Sequence, residues 1–417
     1  MAIDLNLLPQ PLVLKKGLSR LFWFIALIVF IVIGLLFIYA RQLNSNLTLK
    51  HLIISITFSV ISWLILFCIW LFIRGCNEAY VEIWNQLREE RKQQLIEYGQ
   101  RPLYVIFQQL ISEFGDDNHA QALVGGLMSL EARTSNFSNS YENPIIYSKF
   151  PFNDLKPNDF NQKIDNLFDN LQKTLLILNN NAFNDVQKHI RLFIDVPILA
   201  EDIKKIWEYK LGKTSLFDSW QVIDAKQSTV FIDGWLDDLA NDDHLLCCIS
   251  VHLFDSPVVY SAEAMTSMIF LGKNLINKQN TIQYIQKSKS VVVALHRTEE
   301  SEKLDYVLEH AELWGKLNND ERSNKAPLDA IWLSQLSPEV NVNVLSRYID
   351  KQCSVKNIYN IATSFGISGE CDYWVALAFA MEYATQIDNK QMVIGEKKSY
   401  FNATILDKIK IGTEKDA

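Results

Sequence analysis

Two apolar runs without a single Asp, Glu, Lys or Arg open the chain, at residues 21–40 and 52–73. Beyond residue 74, short β-branched or aromatic stretches alternate with longer amphipathic ones. The runs are 20 and 22 residues long, the ~20 residues a helix needs to cross a hydrocarbon core. The segment between them, 41–51, is too short to fold by itself, so the pattern predicts a transmembrane helical hairpin over residues 21–74. A secretory signal would have a shorter apolar stretch and a small-residue cleavage site; the first run ends in Tyr39-Ala40-Arg41-Gln42 instead.

From residue 77 the period changes. Tyr80, Ile83, Trp84, Leu87, Leu95 and Ile96 recur among Glu, Arg, Lys and Gln, and Gly99 and Pro102 close the run, since glycine caps a helix and the residue before proline leaves the α region. This predicts an amphipathic connecting helix over 75–100, with residues 1–20 as an N-terminal segment and 101–417 as one soluble domain. In that domain the spacing predicts strands at 103–107, 191–196, 230–232, 245–254, 266–271, 290–296, 330–333 and 357–362. Helices are expected within 108–130 and at 159–178, 198–209, 301–317, 341–348 and 371–387, and an irregular loop at 133–156. Strands interleaved with helices of this length indicate a layered α/β domain. No internal repeat or low-complexity linker is visible in the residues.

Charge adds orientation. Lys15, Lys16 and Arg20 precede the first run, Arg41 and Lys50 lie in the loop, and Arg74, Arg88, Arg91 and Lys92 follow the second; the positive-inside bias places both ends, and the soluble domain, in the cytoplasm. The net charge of −8 makes a nucleic-acid partner improbable. Of the six cysteines, Cys68, Cys76, Cys247, Cys248, Cys353 and Cys371, none has zinc-ligand spacing. Cys247 and Cys248 are adjacent within an apolar strand and are expected on its opposite faces.

Other constellations have ordinary readings. Asp237, Asp238, Asp242 and Asp243 with His244 suit a solvated turn before a strand better than a metal site. His252, Asp255 and Ser256 lie too close along one segment to form a triad, and there is no Gly-x-Ser-x-Gly turn. His296-Arg297 with Glu299-Glu300, followed by His310, resembles a helix cap with surface ion pairs more than a ligand site. Val124-Gly125-Gly126-Leu127 lacks the residues of a phosphate loop.

Three segments resemble the thiolase-like fold of β-ketoacyl synthases. Residues 245–254 followed by Val258-Val259-Tyr260-Ser261-Ala262-Glu263-Ala264 look like a strand and small-residue turn of those enzymes. Leu328-Asp329-Ala330-Ile331-Trp332-Leu333-Ser334 is similar to the strand that carries their first active-site histidine. Ser364-Phe365-Gly366-Ile367-Ser368-Gly369-Glu370, running into an apolar helix, is similar to their Gly-His loop. The resemblance implies that residues 101–417 form a thiolase-like α/β domain that dimerises. It also implies a cysteine nucleophile and two imidazoles, whereas Ser334 and Ile367 occupy the histidine positions and the turn Asp195-Val196-Pro197-Ile198 has no cysteine. The chain is therefore expected not to be an enzyme: no catalytic, cofactor-binding or metal-ligating residue is assigned, and no cofactor is expected.

The architecture is also similar to bacterial inner-membrane proteins associated with type VI secretion effectors. That resemblance implies a multi-pass inner-membrane protein whose cytoplasmic domain binds a protein partner, as an immunity or adaptor component for a secreted effector. The alternatives are a membrane-tethered acyl-condensing or acyl-binding enzyme of the β-ketoacyl synthase type, or a regulatory subunit docked on a larger membrane complex.

Overall fold

The computed structural model describes residues 3, 5–14, 17, 19–42, 49–133, 144–152, 159–212, 216–317, 328–350 and 357–409. Lys15, Lys16, Cys353 and most of the expected loop at 133–156 lie outside the described residues. The chain divides into two compact units, Ile3–Leu95 and Ile96–Ala417, the latter also taking in Met1–Ala2.

In the smaller unit, α1 (Arg20–Gln42) lies against the first half of α2 (Leu49–Gly99). α2 merges the second apolar run and the connecting helix into one helix of 51 residues. The two approach closely at Gly34, where a Cβ would stand 2.2 Å from Ser59 Oγ, as small residues permit between apolar helices. Ser55 Oγ–H donates to Gly34 O at 3.0 Å, and Trp63 Nε1–H donates to Trp23 O at 3.1 Å. Among the described residues one helix, Leu52–Gly99, is long and apolar enough to cross a membrane; the first run forms the shorter apolar helix Leu21–Phe37.

The larger unit contains a topological duplication that the residues do not display. In chain order it comprises β1 (Leu103–Ser112), α3 (His119–Val124), the small pair β2 (Ala132–Arg133) and β3 (Ile145–Ile146), α4 (Phe160–Asp169), α5 (Gln172–Leu178), β4 (Lys188–Asp195), α6 (Ala200–Lys210), β5 (Ser219–Ile223), α7 (Ser228–Asp237), β6 (Leu245–His252), β7 (Ala264–Leu271) and α8 (Gln279–Ser288). The second half comprises β8 (Val292–Leu295), β9 (Glu299–Ser301), α9 (Leu304–Trp314), β10 (Ala330–Ser334), α10 (Pro338–Asp350), β11 (Asn357–Asn360), α11 (Ile361–Ser364), α12 (Asp372–Tyr383), β12 (Gln391–Lys397) and β13 (Tyr400–Ile409).

The strands order as β11-β10-β12-β13-β8-β1-β7-β6-β4-β5, with β9 on β13. Each half therefore runs third, second, fourth, fifth, first. In both, the fourth, second and third strands are mutually parallel, while the fifth is antiparallel to its neighbours. The halves join through antiparallel β1 and β8. Helices recur in step: α6 and α10 link the second strand to the third, and α7 and α12 link the third to the fourth.

Three apolar cores follow. One lies between the half-sheets, around α7, α12 and α3; the others cover the outer faces, with α4, α5, α6 and α8 on one side and α9 and α10 on the other. The larger unit is thus a layered α/β structure with helices between and outside its sheet halves. The strand period assigns side chains to these cores. Cys248 joins the central core and Cys247 the outer one, as adjacency on a strand requires.

The expected strand at 230–232 is a correction. Residues 228–237 form α7, because Ile232, Trp235 and Leu236 fall on one helical face and are buried, while the Asp224 side chain accepts from Lys226 N–H at the preceding turn. The neighbouring strand β5 and the hairpin of β12 and β13 are additions. The first strand extends to Ser112, which shortens the helix expected within 108–130 to α3.

Candidate active site

Parallel strands expose their carboxyl ends, where α/β sheets place ligand sites. Here β4 and β6 both end on polar residues that are register partners, Asp195 and His252. His252 Nδ1 stands 2.8 Å from Asp195 Oδ2; a carboxylate only accepts, so Nδ1 carries the hydrogen and Nε2 is left as the acceptor. The same Asp195 oxygen accepts the Glu370 backbone N–H at 2.9 Å. Burial opposes ionisation of Asp195, but the bonds from His252 and Glu370 outweigh it and hold its pKa below the usual carboxylate value.

The duplicated position in the second half is Ser334, the last residue of β10, whose register partner on β12 is Gly395. Ser334 Oγ–H donates to Asp372 at the start of α12. Asp372 also accepts the Ser368 N–H at 3.2 Å, yet burial raises its pKa. The two equivalent helix starts touch: Ser228 Oγ–H donates to Glu370 O at 3.3 Å. Lys397 pairs with Glu370 across them.

Gly369 makes this convergence possible. Its φ is +53°, and a Cβ there would stand 2.4 Å from Asp195 Oδ2 and 2.5 Å from His252 Cε1. Next to it, Cys371 is buried, with Sγ 3.4 Å from Phe193 O and 3.5 Å from Val251 O. Burial raises its pKa strongly, so this thiol stays protonated and is not a nucleophile.

The three segments that carry the family resemblance converge here. Ala262 N–H donates to Ile367 O at 2.9 Å, and Glu263 accepts the Phe150 N–H at 2.9 Å from full burial, which pushes its pKa up to about 6. A cavity of about 20 Å³ lies among Thr229, Ser334, Gly369, Glu370, Asp372 and Lys397, room for one water. It shares Gln335 and Glu396 with a groove of about 600 Å³.

The pairing of His252 with Asp195, 57 residues away, replaces the local grouping with Asp255 and Ser256. Its only trace along the chain is that both residues end apolar strands. The carboxylates near His244 diverge: Asp242 pairs with Arg101 at 3.0 Å and Asp237 with Arg297 at 2.7 Å. The reading of His296 to Glu300 as a surface cap is corrected. Arg297 is 2% exposed, and β9 pairs with β13. His296 is also buried, which lowers its pKa to about 3.

Behind the site, Thr298 Oγ1 and Tyr373 OH are 2.6 Å apart, and Thr298 N–H donates to Asp233 at 3.0 Å. Burial, only partly offset by Arg297, raises the Asp233 pKa from 3.8 to about 7. A carboxyl with a raised folded-state pKa binds its proton more tightly in the native state, so this group costs stability as pH rises from about 4 to about 7. Asp233→Asn is therefore expected to lose less stability than the unaltered protein between pH 5 and pH 8. Urea midpoints at the two pH values check this; equal losses would refute it.

No family model and no curated protein matches the chain. Solved structures do. The tetronic acid condensing enzyme AbyA1 has a TM-score of 0.41 and 11% identity over 73% of this chain and 99% of its own. The PfaC keto synthase and chain length factor has a TM-score of 0.48 and 9% identity over 74% of this chain and 43% of its own. Human mitochondrial 3-ketoacyl-CoA thiolase, solved with CoA, has a TM-score of 0.41 and 7% identity over 75% of this chain and 99% of its own. At such identities the likeness bears on fold alone. The expectation that the chain is not an enzyme finds no support among these structures, which are of condensing enzymes and a thiolase. The larger unit is a layered α/β domain with a duplicated strand order.

Proposed function

We propose that this chain is a membrane-tethered enzyme that binds an activated acyl group at the carboxyl ends of β4, β6, β10 and β12. The observation that carries the reading is the Asp195–His252 pair at 2.8 Å, set beside the abutting starts of α7 and α12. Asp195 orients the ring, leaving Nε2 to take a proton from a hydroxyl or water that attacks the acyl carbon and to return it to the departing thiolate, which leaves as the free thiol. A covalent cysteine thioester is not part of this proposal, since Cys371 is buried and protonated.

The tether is the hairpin of residues 21–74, with both ends cytoplasmic. Residues 101–417 form the catalytic body, which self-associates as a dimer. The secretion-effector reading has no observation of its own to stand on.

The test uses the full chain in detergent with octanoyl-coenzyme A, following release of the free thiol. Saturable turnover is expected, falling ~100-fold or more in His252→Ala, the usual contribution of a general base. Absence of both binding and turnover in folded protein would sink the proposal.

A further inference from the structure

Past Arg74 the second apolar run has ended, yet α2 leaves Tyr80, Ile83 and Leu87 60%, 57% and 57% exposed. These three are the large apolar side chains that α2 exposes beyond that point among the described residues. They follow one another in steps of 3 and 4, and the steps continue backwards through Cys76, Ile73 and Ile69 to Leu66, all exposed. Such alternation marks the a and d positions of a heptad repeat, the seam along which two helices wind round each other. From Leu66 to Leu87 the seam is about 30 Å long. Its outer half is apolar surface left in water, which favours burial.

Contacts within the chain use a different face of α2. The Trp23 and Phe67 ring centres are 5.3 Å apart, Asn85 Nδ2–H donates to Leu12 O at 3.0 Å, and Arg88 Nε–H donates to Pro9 O at 2.7 Å. Phe67, Asn85 and Arg88 stand at positions b and f, so the a and d stripe stays open. Charge is sorted in the same way. Arg74, Glu78, Glu82, Arg88 and Glu89 all fall at b, c or f, and the e and g positions from 70 to 86 hold no Asp, Glu, Lys or Arg. In a parallel pair the e and g residues of the two helices lie side by side, so nothing there repels an identical helix. The seam stops at Glu90, where the next d position would bring two carboxylates together.

We propose that α2 pairs with α2 of a second copy of this chain, in parallel and in register, along Ile69, Ile73, Cys76, Tyr80, Ile83 and Leu87. Two copies tethered in one bilayer hold α2 in the same direction and at the same depth. A two-fold pair of that kind sets each seam residue against its own counterpart. The helix pair is separate from any dimer of the body. The inference rests on the membrane tether and not on the acyl reaction.

The experiment oxidises native membranes containing the full chain, in a Cys68→Ser, Cys353→Ser background, with copper phenanthroline. Disulfide-linked dimer is expected from the native Cys76 and, with Cys76→Ser, from Ile73→Cys, Tyr80→Cys, Ile83→Cys and Leu87→Cys. Each should give at least ~fivefold more dimer than Gly75→Cys, Glu78→Cys, Glu82→Cys or Glu89→Cys, which point away from the seam. Ile83→Glu should lower the Cys76 yield at least ~fivefold by like-charge repulsion, and co-expression with Ile83→Lys should restore it in the mixed dimer. A level profile, a maximum on the Glu78 side or the lack of a dimer band overturns the proposal, since a dimer held by the body alone produces no such period. Carbonate extraction separates the two readings. A chain released to the supernatant overturns tether and seam together, whereas a membrane-bound chain without the period overturns the seam alone.

Discussion

Gly369→Val is expected to unfold about 3 kcal/mol more easily than the unaltered protein and to separate Asp195 from His252. Two costs combine. The backbone at +53° disfavours a β-branched residue, and the new side chain enters space held by Asp195 Oδ2 and His252 at 2.4–2.6 Å. Neither neighbour retreats easily, because Asp195 is bonded to both His252 and the Glu370 N–H. Denaturant unfolding checks the stability, and the His252 ring resonances report the lost Asp195 bond. Gly369→Val with unchanged stability and resonances would contradict the site geometry.

The second large effect concerns Arg297. It donates to Asp237 at 2.7 Å, stacks over Tyr98 at 5.6 Å and lowers the charge penalty on Asp233. Arg297→Ala is expected to cost about 3–5 kcal/mol at neutral pH, the range for stranding a buried partner charge. The loss should shrink at pH 5, where Asp233, with its pKa of about 7, already holds a proton and has no charge for Arg297 to offset. Arg297→Met, which refills the volume, should cost less than the alanine variant. Chemical denaturation of both variants at pH 5 and pH 8 decides this; a loss that grows on acidification would contradict the charge argument.

Both predictions concern groups whose roles were invisible along the chain. Gly369 stands in a segment noted only for resemblance, and nothing in its neighbours shows that a Cβ would strike strands ending at residues 195 and 252. Along the chain Arg297 resembles a surface cation because Glu299 and Glu300 follow it, whereas its partner Asp237 is brought in by α7. That helix resembles a strand along the chain, since three apolar residues at 230–232 fit either period until Trp235 and Leu236 are counted with Ile232.

What the sequence determined by itself is a set of elements with a strong local period. The two apolar runs, the amphipathic continuation to Gly99, β4 with α6 behind it, the opposed faces of Cys247 and Cys248, and the apolar helix after Gly369 follow from spacings of 2.0 or 3.6. Only the tertiary structure decided the duplicated strand order, the burial of Arg297 and the Asp195–His252 pair. The physical reason is that these depend on register and strand order across the sheet. Each is set by packing summed over many distant residues, and no short stretch of chain carries it.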